Sequence, residues 1–68
     1  MKVLDPGLFV REMGRQRLSL PVMALRCNMT TVRLSEIECG SPASDSEIAA
    51  IAKALGVLPS DVAPEGGE

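Results

Sequence analysis

The feature that most constrains this fold is the short interval between two predicted helices near the middle of the chain. Serine often caps the start of a helix, as Ser19 would here. Asparagine often adopts the left-handed conformation that ends a helix, as Asn28 would here. Thr30, two residues later, is a cap for the start of the next helix. Since only Asn28 and Met29 separate helix 20–27 from this cap, the two helices must turn sharply against each other.

Other segments of the chain also have helix signals. The clearest helix begins at Ser44, where the S-x-x-E spacing to Glu47 predicts a capping box, and ends at Gly56. Inside it, apolar residues recur at a spacing that lines one helix face: Ile48, Ile51, Ala52 and Leu55. The sequence also predicts a first helix over about 6–16 and a last short turn over 59–62.

The composition agrees with a helical fold. Phe9 is the only aromatic residue, so the core must consist of Leu, Ile, Val, Met and Ala, which suits packed helices better than strands. A chain of 68 residues forms one domain. We therefore expect a compact all-α domain of four to five helices over 8–62, with a lead-in over 1–7 and a flexible tail over 63–68.

The residue types present argue against several classes of chemistry. Histidine is absent, and Cys27 and Cys39 lack the spacing of a disulfide framework or a zinc site. We expect two reduced thiols, with Cys27 in the core, and no metal or cofactor. Glu36 and Glu38 are two residues apart and point to different faces of a helix, and the chain has no Gly-rich phosphate loop. An enzyme is therefore not expected.

The sequence also bears on where the protein is located. No run of about 18 apolar residues is present that could span a membrane. The residues before Pro6 include Lys2, Asp5 and one apolar pair, and this stretch is too short for a signal peptide. We expect a cytoplasmic protein with no membrane partner.

Charge is unevenly distributed along the chain. Residues 9–33 contain five arginines and one glutamate, whereas residues 34–68 contain one lysine and seven acidic residues. One part of the domain could therefore face phosphates while the other part repels them. The same charges are equally compatible with ordinary solvated side chains, and the net charge of −2 argues mildly against a nucleic-acid partner.

A combination of residues across most of the chain matches a known pattern. Ala24 is small where two helices cross closely, and Asn28 takes a turn position usually given to glycine. The other matching positions are Leu18, Ser19, Met29, Thr30, Leu34, Ile37, Glu38, Gly40 and the run 51–57. In this spacing the chain resembles the XRE-type helix-turn-helix family, the DNA-binding domain of phage lambda repressor and Cro proteins. The resemblance covers about 8–62 and places the helix-turn-helix at about 19–39.

The resemblance implies that the third helix lies in the major groove of DNA. The positions it assigns to base contacts are Thr31, Val32, Arg33 and Glu36. Leu34 and Ile37 are the inward pair of this helix, and rotation of 100° per residue independently puts three residues on the opposite face: Val32, Glu36 and Cys39. The implied phosphate contacts are Arg15, Arg17, Ser19, Leu20, Ser35, Cys39 and Ser41. If no DNA is bound, Arg15 and Arg17 are ordinary surface arginines.

The chain departs from the family pattern at positions that matter for DNA. Leu20 stands where the family usually has a glutamine that donates to phosphate. Glu38 corresponds to a glutamate that usually faces an arginine of the first helix rather than DNA. Met13 occupies that aligned position here, so Arg11 or Arg15 would have to replace the arginine.

The function implied by the resemblance is that of a sequence-specific transcriptional regulator of prokaryotic or phage type, which would be associated with the nucleoid. A module of this size contacts about one half-site, so we expect a homodimer on a pseudo-palindromic operator of double-stranded DNA. The expected dimer interface surrounds the last helix: Leu55, Val57, Leu58 and Val62.

Two alternatives remain open from the sequence. Arg33 can pair with guanine and Glu36 with cytosine, but Glu36 is equally compatible with a solvated surface residue. The alternative function is a helix-turn-helix fold used as a protein-interaction module, as in an anti-repressor or an antitoxin-like partner. The acidic second half and the apolar side chains of Val32 and Cys39 favour that alternative.

Overall fold

A computed structural model describes residues 1–64, which form five helices. These are α1 (Pro6–Arg15), α2 (Leu20–Arg26), α3 (Thr31–Glu38), α4 (Asp45–Leu55) and α5 (Pro59–Val62). Within these residues no strand is formed, and the only extended pairing is an isolated antiparallel bridge between Lys2 and Ala43. The prediction of an all-α domain is confirmed.

The helices begin at the predicted caps because short polar side chains accept hydrogen bonds from the first turns. The Ser19 hydroxyl accepts from the Val22 amide at 3.4 Å, and the Thr30 hydroxyl from the Arg33 amide at 3.0 Å. Helix α1 begins one residue after a cap that the sequence analysis did not identify. The Asp5 carboxylate accepts from the amides of the first turn of α1.

The start of α4 forms the capping box that the sequence predicts. The Ser44 hydroxyl accepts from the Glu47 amide at 3.2 Å, and the Ser44 amide donates to the Glu47 carboxylate at 2.9 Å. At the other end of the helix, Gly56 has the expected left-handed conformation, with φ of 78°.

The turns on either side of α2 also depend on left-handed residues. Asn28 has φ of 58°, as predicted for the residue that ends α2, and the Met29 amide donates to the Ala24 carbonyl. Arg17, in the turn before α2, has φ of 57° and was not expected in this conformation. These two turns set the direction of α2 relative to α1 and α3.

The core is apolar and draws on every helix. The four α4 residues predicted to line one face are all buried, and so is Cys27, as predicted. Burial raises the pKa of the Cys27 thiol above its usual range. The remaining buried side chains are Leu4, Phe9, Met23, Ala24, Leu34, Ile37, Ala43, Val62 and Ala63. In the described part of the chain, the core contains no buried polar or charged residue.

Buried residues also lie on both sides of the predicted range 8–62. Leu4 is 2% exposed and Ala63 is 0% exposed, so both belong to the core. The Asp5 amide donates to the Val62 carbonyl at 2.7 Å, which ties the N-terminal segment to α5. The remainder of the predicted tail, residues 65–68, lies outside the described residues. No helix within 1–64 is long and apolar enough to cross a membrane.

Candidate functional site: the outer face of α2 and α3

Helix α3 lies on the domain with one face buried and the other exposed. Leu34 and Ile37 are fully buried and fix its rotation. The side chains that point away from the core are Thr31, Val32, Glu36 and Cys39, all of them exposed. The rotation predicted from the sequence therefore agrees with the structure, and α2 packs against this helix across the turn at Asn28.

Arg33 was assigned to base reading, but its guanidinium is occupied within the domain. Its Nε donates to one Glu47 carboxylate oxygen at 2.8 Å and its Nη2 to the other at 2.9 Å. The Nη2 also donates to the Pro42 carbonyl at 3.1 Å. Such a two-point carboxylate contact holds a guanidinium in one orientation. In this conformation Arg33 fastens α3 to the start of α4 and is not available to a base.

The same contact controls the charge state of this region. Hydrogen bonds from Arg33, followed by the one from the Ser44 amide, lower the pKa of Glu47 to about 2. Glu47 in turn raises the pKa of Arg33 above its usual range. Glu36 lies next to this pair, with a carboxylate oxygen 3.6 Å from Nη1 of Arg33. The negative charge of Glu36 on the outer face is therefore partly offset.

The predicted phosphate contacts differ in how accessible they are. Arg17, Ser19 and Cys39 are exposed. Arg15 is also exposed, but its Nη2 lies 2.6 Å from a Glu12 carboxylate oxygen, and this contact lowers the pKa of Glu12. The other three predicted contacts are half-buried and therefore less accessible: Leu20, Ser35 and Ser41.

The predicted dimer residues divide into two pairs. Leu55 and Val62 are 3% and 0% exposed, so they belong to the core and have almost no surface to offer a second chain. Val57 is half-buried, and Leu58 is 65% exposed. Of the four predicted residues, only Val57 and Leu58 therefore have surface that a second chain could contact.

Glu38 does not make the contact that was expected of it. Within residues 1–64 Glu38 has no ion pair. Of the two arginines expected to contact it, Arg15 pairs with Glu12, and Arg11 has no ion pair within these residues. Glu38 lies half-buried at the side of a groove of about 300 Å³ between α1, the start of α2 and the end of α3. The other residues that line the groove are Val10, Met13, Gly14, Leu18 and Leu20.

Helix α2 presents apolar side chains that the sequence analysis did not single out. Leu25 is 81% exposed, and Val22, three residues before it, is also exposed. Val32 of α3 is 69% exposed. Helical periodicity could have identified Val22 and Leu25 as exposed, because neither lies on the face of α2 that turns inward. The buried residues Met23, Ala24 and Cys27 define that face.

Comparison with known proteins adds no family assignment. No model of a known protein family matches the chain, and neither a curated protein nor a solved structure matches it. What the structure defines is an all-α domain in which the turn between α2 and α3 leaves one face of α3 exposed.

Proposed function

We propose that the protein is a sequence-specific DNA-binding regulator in which α2 and α3 form a helix-turn-helix. The observation that carries this proposal is the orientation of α3. Its inner face is held by Leu34 and Ile37, while Thr31, Val32 and Glu36 are exposed on its outer face. A single exposed helix of this kind fits the major groove of DNA, which is about 12 Å wide.

The distribution of charge supports the proposal. Arg11, Arg17 and Arg26 are exposed and have no ion pair within residues 1–64. All three belong to the part of the chain before α3, where positive charge is concentrated. Unpaired arginines can contact phosphates without first breaking a contact inside the domain.

The proposed roles of the α3 residues follow from their contacts. Val32 packs on a thymine methyl group, and Glu36 accepts from the cytosine amino group. Arg33 acts as a positioning residue, because it holds α3 against α4 through Glu47 and lies beside the Glu36 carboxylate. A domain of this size reads one half-site, so the operator is bound by two copies at half-sites one helical turn apart.

Selection of bound sequences from random DNA duplexes at two salt concentrations tests the proposal. We expect one enriched motif at both concentrations, with an affinity that falls as salt rises. Val32→Ala should relax the preference at one base pair, which corresponds to a loss of about 1–3 kcal/mol for the preferred base. Val3→Ala, which shortens an exposed side chain before α1, is the matched control and should leave the motif unchanged. If the wild-type chain shows no salt-dependent binding to any duplex, DNA binding is ruled out.

A second candidate function, a protein-interaction module, is favoured by the exposed apolar side chains of α2 and α3. Leu25 and Val22 have no evident use in reading DNA, and Val32 is apolar on the face that would meet bases. Leu25→Glu separates the two functions. A DNA-binding regulator should tolerate this change except for a uniform loss of affinity from added negative charge, whereas a module that buries α2 against a protein should lose its partner.

A further inference from the structure

We propose that the groove beside Glu38 is a second binding site, which takes an arginine side chain from a partner protein. The site lies between α1, the start of α2 and the end of α3, and the proposal does not depend on DNA binding. It is based on the charge of Glu38, on the apolar groove wall and on the space at Gly14.

The charge of the groove defines what it can bind. Glu38 is the only charged residue among those that line it, and no cation within residues 1–64 pairs with Glu38. By contrast, Glu12, Glu36 and Glu47 each lie beside an arginine of the same domain. A half-buried carboxylate without a partner is complementary to a cation supplied from outside.

The apolar wall defines the rest of the ligand. Val10, Met13, Leu18 and Leu20 present aliphatic surface along the groove, and Met13 can adapt its shape to a guest. An arginine side chain buries its aliphatic stem while its guanidinium donates two hydrogen bonds to a carboxylate. The groove volume of about 300 Å³ is at the lower limit for ligand pockets, which suits one side chain better than a large molecule.

Gly14 supplies an independent observation. It lies inside α1, where glycine is less favourable than alanine, yet a Cβ atom added there would meet nothing within 4 Å. Neither packing nor backbone conformation therefore requires glycine at this position. Because Gly14 lines the groove, the missing side chain keeps that part of the groove open.

Two-dimensional ¹H–¹⁵N NMR of the full chain, titrated with n-butylguanidinium, tests whether the charge of the ligand is recognised. We expect saturable shifts at the amides of the groove residues, and binding weaker by about tenfold for the uncharged analogue n-butylurea. Glu38→Gln should reduce binding to the level of n-butylurea, whereas Asp45→Asn, which changes an exposed carboxylate outside the groove, should leave it unchanged. Shifts that do not saturate, or binding that is as tight in Glu38→Gln as in the wild type, would overturn the proposal.

Gly14→Ala tests the site in a variant that should fold better than the wild type. We expect a higher melting temperature together with weaker binding of n-butylguanidinium, because the new methyl group occupies the groove. Unchanged binding would show that the groove is not where the cation lies.

A third titration addresses the source of the arginine. The peptide acetyl-Leu-Arg-Leu-amide, which presents arginine as a protein does, should bind more tightly than free L-arginine. Tighter binding of free L-arginine would overturn the assignment to a partner protein.

Discussion

At the scale of single residues, the contact between the Arg33 guanidinium and the Glu47 carboxylate links α3 to the start of α4. Arg33 donates hydrogen bonds to both carboxylate oxygens of Glu47, and the same carboxylate accepts from the Ser44 amide in the capping box of α4. One glutamate therefore contributes to the start of its own helix and to the position of the neighbouring one. This dual role explains why the pKa of Glu47 is lowered to about 2.

The stability of the protein should depend on this carboxylate in acid. A carboxyl group whose pKa falls from 4.5 to about 2 on folding stabilises the folded chain above pH 4.5, and this contribution is lost as the pH falls toward 2. Urea unfolding followed by circular dichroism should show this fall in the free energy of unfolding. Glu47→Gln should lower stability at neutral pH and flatten the acid dependence, leaving the part due to Glu12. An acid dependence identical to that of the wild type would contradict this, and the control is Glu38→Gln, because Glu38 has no ion pair within residues 1–64.

Arg17 should show a conflict between stability and binding. Its φ of 57° is unfavourable for a residue with a Cβ atom, so Arg17→Gly should raise the free energy of unfolding by up to about 1 kcal/mol. The same change removes a proposed phosphate contact and should weaken DNA binding at low salt. Arg17→Ala, as the control, should weaken DNA binding without the gain in stability. If Gly and Ala give the same stability, the left-handed conformation is not strained.

At the scale of elements, the helices are defined by their ends more than by their interiors. Each of α2, α3 and α4 starts where a serine or threonine hydroxyl accepts from an amide three residues later. Helices α2 and α4 end at left-handed residues, Asn28 and Gly56. These signals act within one turn of the chain, which is why the sequence could locate them.

Removal of a cap should therefore be measurable in one helix. Ser44→Ala deletes the hydroxyl that accepts from the Glu47 amide and should lower the free energy of unfolding by about 1 kcal/mol. Ser60→Ala, an exposed serine in α5, should change it by no more than about 0.5 kcal/mol. Equal effects of the two changes in thermal and urea unfolding would show that the capping box is not stabilising.

At the scale of the whole molecule, the ends of the described chain close the core. Leu4 is buried, the Lys2 amide donates to the Ala43 carbonyl at 2.9 Å, and the Asp5 amide donates to Val62. The segment before α1 therefore joins the loop before α4 to α5. A small domain depends on such additions because its core is limited by its size.

Truncation of the buried Leu4 side chain should destabilise the domain severely. Leu4→Ala should lower the free energy of unfolding by about 2–5 kcal/mol, the range for large-to-small changes in a core. Val3→Ala is the matched control, because Val3 is exposed and its truncation should change stability by no more than about 0.5 kcal/mol. Leu4→Ala protein as stable as Val3→Ala protein would place the segment before α1 outside the cooperative unit.

The sequence by itself determined the all-α class, the helix starts at Ser19, Thr30 and Ser44, and the outward face of α3. These features depend on hydrogen bonds and on helical periodicity within a few residues, so they can be read from spacing. The predictions that remain untested are of a different kind. The DNA contacts and the dimer depend on partners outside the chain, and the family resemblance depends on comparison with other proteins.

Only the tertiary structure decided how distant residues pair. It brought Arg33 to Glu47 rather than to an open surface, left Glu38 without an ion pair within residues 1–64, and buried Leu4. Ion pairs with different partners contribute similar, small free energies, so the sequence does not indicate which pair forms. The packing of the helices determines which partner is within reach. For the same reason Leu55 and Val62, apolar residues that could equally have met a second chain, are covered by their own.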